Sequence, residues 1–345
     1  MKRLTEILPG LVVSVLLATA AFMLSEQPFV KDTLHLSALL LVILVGMAMR
    51  SVIALPVWAG PGVRMAQRPV LRWAVAGLGF RLSLARIASI GGPAVGVVVA
   101  STGIALWFGW WVGRKLGLED RFATLLSVGG GICGASAVVA ADSVVQAEKR
   151  DSALALGIIT LLGTIGIVIY PWIGRAGGMS DFLYGVWDGA SLHEMAQVVA
   201  AGATFSKEAT SIATVVKLTR ITLLAPTVFF LAWRVRRQAA AAIANAGGEA
   251  RLAAANHARI SLVPWFLVVF VAIAALNSTG WLPEAFVKQA VRADNWLLCV
   301  GMAGVGLQTS FADLGRAGWT PIAAGAAQWI VLAAVSYGLA RVLLH

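Results

Sequence analysis

Long stretches in which almost every position is apolar alternate along the chain with short polar connections. The apolar runs fall at about 8–24, 36–51, 66–81, 89–113, 119–141, 151–174, 181–203, 208–234, 260–277, 293–311 and 318–342, each bounded by charge, Pro or Gly. A run of about 20 apolar residues is the length of a helix that crosses a bilayer. The pattern therefore predicts an all-α polytopic membrane protein of about eleven transmembrane helices. A β-barrel is excluded, because these runs are continuously apolar and barrel strands alternate.

Composition sharpens this picture. Hydrophobic residues make up 59% of the 345 positions and charged residues 12%, whereas a soluble domain carries about a quarter charged. A water-soluble globule is therefore excluded. The 36 glycines and 13 tryptophans suit membrane helices and their interfacial belts. The net charge of +11 would suggest nucleic acid in a soluble protein; here it reads as loop charge that orients the chain, so no nucleic-acid partner is expected. Cys133 and Cys299 both lie inside apolar runs, so neither a disulfide framework nor a cysteine zinc site follows. Ala18-Thr19-Ala20 behind Lys2 and Arg3 imitates a leader-peptide cleavage site, yet an uncleaved first helix is the preferred reading. With eleven spans and a cytoplasmic N-terminus, fourteen loop Lys and Arg fall on the cytoplasmic side and eight outside. The basic, Ala-rich stretch 235–259 reads as a short cytoplasmic helix near anionic headgroups, a connector without chemistry.

Segment lengths suggest a duplicated plan. Behind an extra N-terminal helix within 1–35, spans two to six cover 36–174 and spans seven to eleven cover 181–342; the two units are equal at 139 residues once 236–258 is set aside. Two five-span units lie in opposite orientations, an arrangement that recurs in secondary transporters. The fourth span of each unit contains a small-residue run: Gly129 to Ser136, including Gly131, Cys133 and Gly134, and Gly301 to Thr309, including Gln308. Glycine costs about 1 kcal/mol in a helix interior relative to alanine, so both runs are expected to unwind. A half-helix starting near Ser136 would offer free N–H groups and a positive dipole end to an anion. The competing reading is close helix packing through small residues.

Ionisable residues inside the runs supply the candidate chemistry. Lys217 and Arg220 lie on one face of the eighth run, about 9 and 14 Å from a start at residue 211, near the middle of the bilayer. Two cations there suggest an anion site; the alternatives are structural pairing with Asp142, Asp188 or Glu194, or snorkelling to the surface. The seventh run holds Asp188, Ser191, His193, Glu194 and Gln197. His193-Glu194-Met195-Ala196-Gln197 imitates a zinc-protease helix, but Gln197 replaces the second histidine, so no metal site and no protease are expected. Glu194 instead suits a titratable role, neutralising Lys217 or Arg220 or exchanging a proton for substrate. Arg50 and Arg81 read as interface anchors. No phosphate-binding Gly-Lys-Ser/Thr loop occurs.

Taken in order, Gly79-Phe80-Arg81-Leu82-Ser83, Gly131-Ile132-Cys133-Gly134-Ala135-Ser136, the stretch Gly189 to Ala201, Lys217-Leu218-Thr219-Arg220 and Gly301 to Thr309 resemble the YeiH-type sulfate exporter family of bacterial inner-membrane proteins. The likeness spans roughly 35–340. The family is grouped with bile acid sodium symporters and sodium-proton antiporters. The resemblance therefore implies inverted five-helix repeats with two broken crossing helices, and Gly134, Ser136, His193, Glu194, Lys217 and Arg220 as functional positions. Many members of that family carry Ser where Gly131 stands, so the resemblance does not imply a hydroxyl contact at this position here. The expected activity is secondary transport of a small anion, sulfate or a related oxyanion or sulfonate, in the inner membrane. No cofactor is expected beyond coupling to H⁺ or Na⁺, and the unpaired first helix could serve a homodimer. The rival readings are a cation-proton antiporter using Asp142 and Glu194, a sodium-coupled organic-anion symporter, and a membrane-embedded enzyme.

Overall fold

A computed structural model of the chain describes residues 2–27, 38–53, 55–245, 265–308 and 318–344, together with Ser310 and Ala312. Thr309 and positions 246–259 of the expected connector lie outside these residues. Helices dominate, and no strand occurs among the described residues. The segments are α1 (Lys2–Ser25), α2 (Ala38–Val52), α3 (Gly60–Met65), α4 (Leu71–Gly77), α5 (Leu84–Ser89), α6 (Gly92–Lys115), α7 (Asp120–Gly131), α8 (Ala135–Val145), α9 (Lys149–Ala176), α10 (Asp181–Ser191), α11 (Met195–Phe205), α12 (Lys207–Thr222), α13 (Leu224–Asn245), α14 (Trp265–Ser278), α15 (Glu284–Gly306) and α16 (Thr320–Leu343). Among the described residues, five helical stretches are long and apolar enough to cross a membrane: Glu6–Ser25, Gly92–Lys115, Arg150–Ala176, Lys207–Ala241 and Thr320–Leu343; shorter apolar helices accompany them. Trp58, Trp107, Trp172, Trp281 and Trp319 are each more than half exposed, as interfacial tryptophans of a membrane protein are.

The helices form two packed groups. One comprises α1, α2, the segment from α3 to Arg81, α14 and α15. The Arg81 guanidinium bonds the Asp294 carboxylate at 3.0 Å and Asn295 at 2.6 Å, and Asn277 donates to the carbonyls of Phe80 and Leu82. Arg81 is thus a tertiary tie between the third run and α15 rather than a free interface anchor. The other group comprises α6 to α13 and α16.

Three expectations are corrected here. First, α7 and α8 are not two halves of one through-going span. Arg121, in the first turn of α7, donates to the carbonyl of Gln146, which caps the far end of α8, at 2.9 Å. Collinear helices would hold those residues more than 35 Å apart at about 1.5 Å per residue; they are the two feet of a hairpin. Second, the seventh run is also a hairpin, broken at Leu192–Glu194. Ser206, after α11, donates to Asp181 at the start of α10 at 2.6 Å, and the rings of Tyr184 and Phe205 stack at 3.9 Å. Third, the second small-residue run breaks later than expected: α15 continues through Gly301 and Gly304 and ends at Gly306, with Leu307 and Gln308 in a turn after it. Its glycines admit close neighbours: a methyl group on Gly301 would meet Leu71, one on Gly304 the backbone of Val63 and Gln67, and one on Gly306 the carbonyl of Ile43. Packing benefit outweighs the helix propensity of glycine in that run. The connector at 235–259 is corrected in part, since α13 continues to Asn245 as one helix.

Candidate functional site

The two hairpins meet tip to tip. The first turns through Ile132-Cys133-Gly134, with Gly134 at φ +75° and ψ −126°, a conformation open to glycine and strained for any other residue. The second turns through Leu192-His193-Glu194. A methyl group built on Gly134 would lie 2.7 Å from the Glu194 Cγ, so the tips touch at this point.

Helix α12 threads both tips with its two cations. Lys217 Nζ donates to the carbonyls of Ile132 (2.9 Å), Leu192 (2.6 Å) and His193 (2.6 Å). Arg220 donates through Nε to Gly131 (2.6 Å), through Nη1 to Leu192 (2.8 Å) and through Nη2 to Gly130 (2.6 Å). Both side chains are fully buried. The carbonyls they meet are the unsatisfied C-terminal ends of α7 and α10, where the helix dipoles place negative charge. The three-residue spacing read from the sequence serves this purpose: one helix face delivers six charge-assisted hydrogen bonds to five carbonyls of the two tips, Leu192 accepting two of them. No ion pair joins either cation to Asp142, Asp188 or Glu194 among the described residues. Neither cation snorkels.

Other expected residues gather at the same place. His193 Nδ1 lies 3.1 Å from the Gly130 carbonyl; a carbonyl only accepts, so Nδ1 bears the hydrogen and Nε2 a lone pair. Glu194 Oε1 accepts from the Thr160 hydroxyl at 3.0 Å, and Glu194 with Gln197 forms a capping box over the start of α11. Gln197 also donates to the Thr160 carbonyl at 3.2 Å. Its role is to hold the second tip, which explains why a glutamine stands where a zinc helix would need histidine. Cys133 and Ser136 are 3.0 Å apart, sulfur to oxygen, at the start of α8, which has no side-chain cap. Gln308 is elsewhere: it donates to Gln67 at 2.5 Å, on the wall of a polar cavity of about 240 Å³ between the two helix groups that α8 also lines through Asp142, Ser143 and Gln146. Thr309 lies outside the described residues.

Sequence reasoning missed Thr160 and Gln328. Gln328 of α16 donates to the carbonyls of Ala105 and Ser127, tying α6 and α7 behind the first tip. A polar residue inside a long apolar run is the only signal either one gives. Four buried atoms at the tips have no hydrogen-bond partner among the described residues: both carboxylate oxygens of Asp188, His193 Nε2 and Glu194 Oε2. All four are acceptors when the carboxyls are ionised and the imidazole is neutral, and buried acceptors of this kind are rare without a ligand, a water or a proton.

These features define a class: a multi-pass helical inner-membrane protein with paired hairpins that meet around buried cations. The family model described as conserved hypothetical protein 698 matches residues 9–325. The chain is 32% identical over 326 residues to the inner membrane protein YeiH of Escherichia coli K12, covering 93% of this chain and 90% of that one. It is 31% identical over 341 residues to a UPF0324 membrane protein of Agrobacterium fabrum, covering 98% and 94%, and 33% identical over 339 residues to one of Bordetella pertussis, covering 97% and 94%. The protein belongs to this UPF0324, YeiH-type family. No solved structure matches the chain.

Proposed function

We propose that the protein is a secondary transporter of a small anion, with sulfate or a related oxyanion or sulfonate as first choice, working by alternating access. The observation that supports this most is the tip-to-tip meeting of two helical hairpins around Lys217 and Arg220. Unwound backbone at membrane depth is tolerated only where protein packs it or a cavity reaches it, and buried charge within a membrane marks a solute path. The anion would rest at the uncapped start of α8, against the Ser136 hydroxyl and Cys133. The field of the two cations would favour it from behind, without direct contact, since each of their nitrogens already donates to a carbonyl. The start of α11 is closed by its own capping box and offers no second cradle.

The hairpins also revise the membrane path. Helices α7 and α8 are about 18 and 16 Å long at 1.5 Å per residue, half of a 30 Å core; each hairpin would enter and leave on one side, the first from the cytoplasm and the second from outside. Nine crossings remain, the termini stay on opposite sides, and Lys149 and Arg150 change places with Arg175. The loop count of Lys and Arg becomes fifteen against seven, a stronger cytoplasmic bias than eleven crossings give. The cavity beside Gln67 and Ser143 then opens on the cytoplasmic side as the approach to the tips. Exposed Glu148 and Ala176 test this path, because eleven crossings would exchange their sides. Glu148→Cys is expected to react with an impermeant maleimide only from the cytoplasmic face and Ala176→Cys only from outside; the native thiols are buried and give a low background. The reverse labelling would reject the hairpin path.

Transport itself is tested by counterflow of radiolabelled sulfate in proteoliposomes. Wild type is expected to exchange label, and Ser136→Ala to weaken apparent affinity by about tenfold or more, the worth of one hydrogen bond to a charged ligand. Absence of flux for every oxyanion and sulfonate tried would reject the transport reading; an unchanged affinity in Ser136→Ala would reject the cradle at α8.

A further inference from the structure

We infer that Asp188 is the proton-carrying residue that couples transport to the proton gradient, a step that rests on the transport reading and deepens it. Asp188 lies on α10 one turn before the second tip. It is completely buried, and neither carboxylate oxygen has a hydrogen-bond partner. The surrounding side chains of α10 and α12, including Trp187, Ala190, Ala213 and Val216, are buried and mostly apolar. An ionised carboxylate in such a place, without a partner, is strongly disfavoured, so the group needs a cation to accompany it through the membrane.

The neighbours decide which cation. From α12 the charged group within electrostatic reach is Lys217, whose ammonium is already shared by three carbonyls. From α9 the neighbouring titratable group is the neutral Tyr170 hydroxyl, which accepts from the Trp329 indole at 3.1 Å. On α10 itself Tyr184 donates to the Ala201 carbonyl, and from α16 Tyr337 packs on Trp187. Neither α11 nor the stretch 92–113 of α6 contains an ionisable residue. At the tip, His193 presents a lone pair and Glu194 a free oxygen. A sodium ion needs five or six oxygen ligands. The tip carbonyls that could supply them are engaged by Lys217 and Arg220, and no cluster of three or more acidic, His or Cys side chains exists among the described residues. A proton needs one carboxylate oxygen, which Asp188 has. In each cycle Asp188 takes one proton from water on one side, moves neutral with the hairpin group, and releases that proton on the other side.

The experiment uses full-length protein in proteoliposomes and compares wild type with the near-isosteric Asp188→Asn. Wild type is expected to accumulate sulfate when a pH gradient is imposed and to ignore a sodium gradient. Asp188→Asn is expected to retain exchange without a gradient while losing at least tenfold of the gradient-driven accumulation. Infrared difference spectra of wild type across a pH titration are expected to show the C=O band of a protonated buried carboxyl, missing in Asp188→Asn. Gradient-driven accumulation that persists in Asp188→Asn, accumulation driven by sodium, or a band unaffected by the substitution would overturn the inference. Should wild type move no anion at all, the transport reading fails; the infrared band still reports on Asp188 separately, and its absence overturns the proton site by itself.

Discussion

Replacing Arg220 by methionine is expected to unfold the centre of the molecule. The substitution keeps length and apolar bulk but withdraws three donors from the carbonyls of Gly130, Gly131 and Leu192, leaving two helix ends facing each other with like partial charge in a fully buried site. Breaking a buried charged network of this kind costs about 3–5 kcal/mol, which corresponds to a fall in Tm on the order of 10 °C. The measurement is thermal unfolding in detergent, with exposed Arg341→Met as the control expected to lie within 2 °C or so of wild type. Arg220→Lys is expected to recover only part of the loss, because an ammonium is a compact point donor and cannot reproduce the planar fork that spans three acceptors. A Tm for Arg220→Met equal to that of the control would show that the carbonyl ends are satisfied some other way.

Gly134→Ala is expected to abolish sulfate exchange with a smaller loss of stability. Alanine at φ +75° and ψ −126° costs about 1–3 kcal/mol in backbone strain, and its methyl group would sit 2.7 Å from the Glu194 Cγ. The two tips must separate or the turn must change, and either shift disturbs the start of α8 by the same few tenths of an ångström that positioning at a binding site cannot absorb. We expect counterflow to drop more than tenfold while the protein still elutes as a single species. Wild-type exchange in Gly134→Ala would mean that the tips need not touch during the cycle.

How far the sequence reached can be judged at these same residues. Lys217 and Arg220 were legible as buried, because cations within an apolar run cannot face lipid. Their partners were not legible: a charge inside a membrane pattern calls for negative compensation, and carboxylates at Asp188 and Glu194 are visible in the sequence whereas backbone carbonyls at a helix end are not. The break at Gly131–Gly134 was legible from four glycines in six positions. The break at Leu192–Glu194 was not, since it has no glycine or proline and is made by tertiary bonds from Thr160, Lys217 and Arg220. In the second run the same glycine argument put the break too early, because close neighbours from α2, α3 and α4 reward a helix that continues through Gly301 and Gly304 and ends only at Gly306.

The apolar run lengths, the loop charges and the scarcity of ionisable residues determined by themselves that this chain is a multi-pass helical membrane protein, since insertion energies depend on composition summed over about 20 residues. The motifs were enough to resemble the family to which it belongs. Only the tertiary structure decided that two of the apolar runs turn back as hairpins, that the two cations cap helix ends, and that Asp188 is left without a partner. A hairpin and a crossing share one composition, and what separates them is which distant groups satisfy the backbone at the turn.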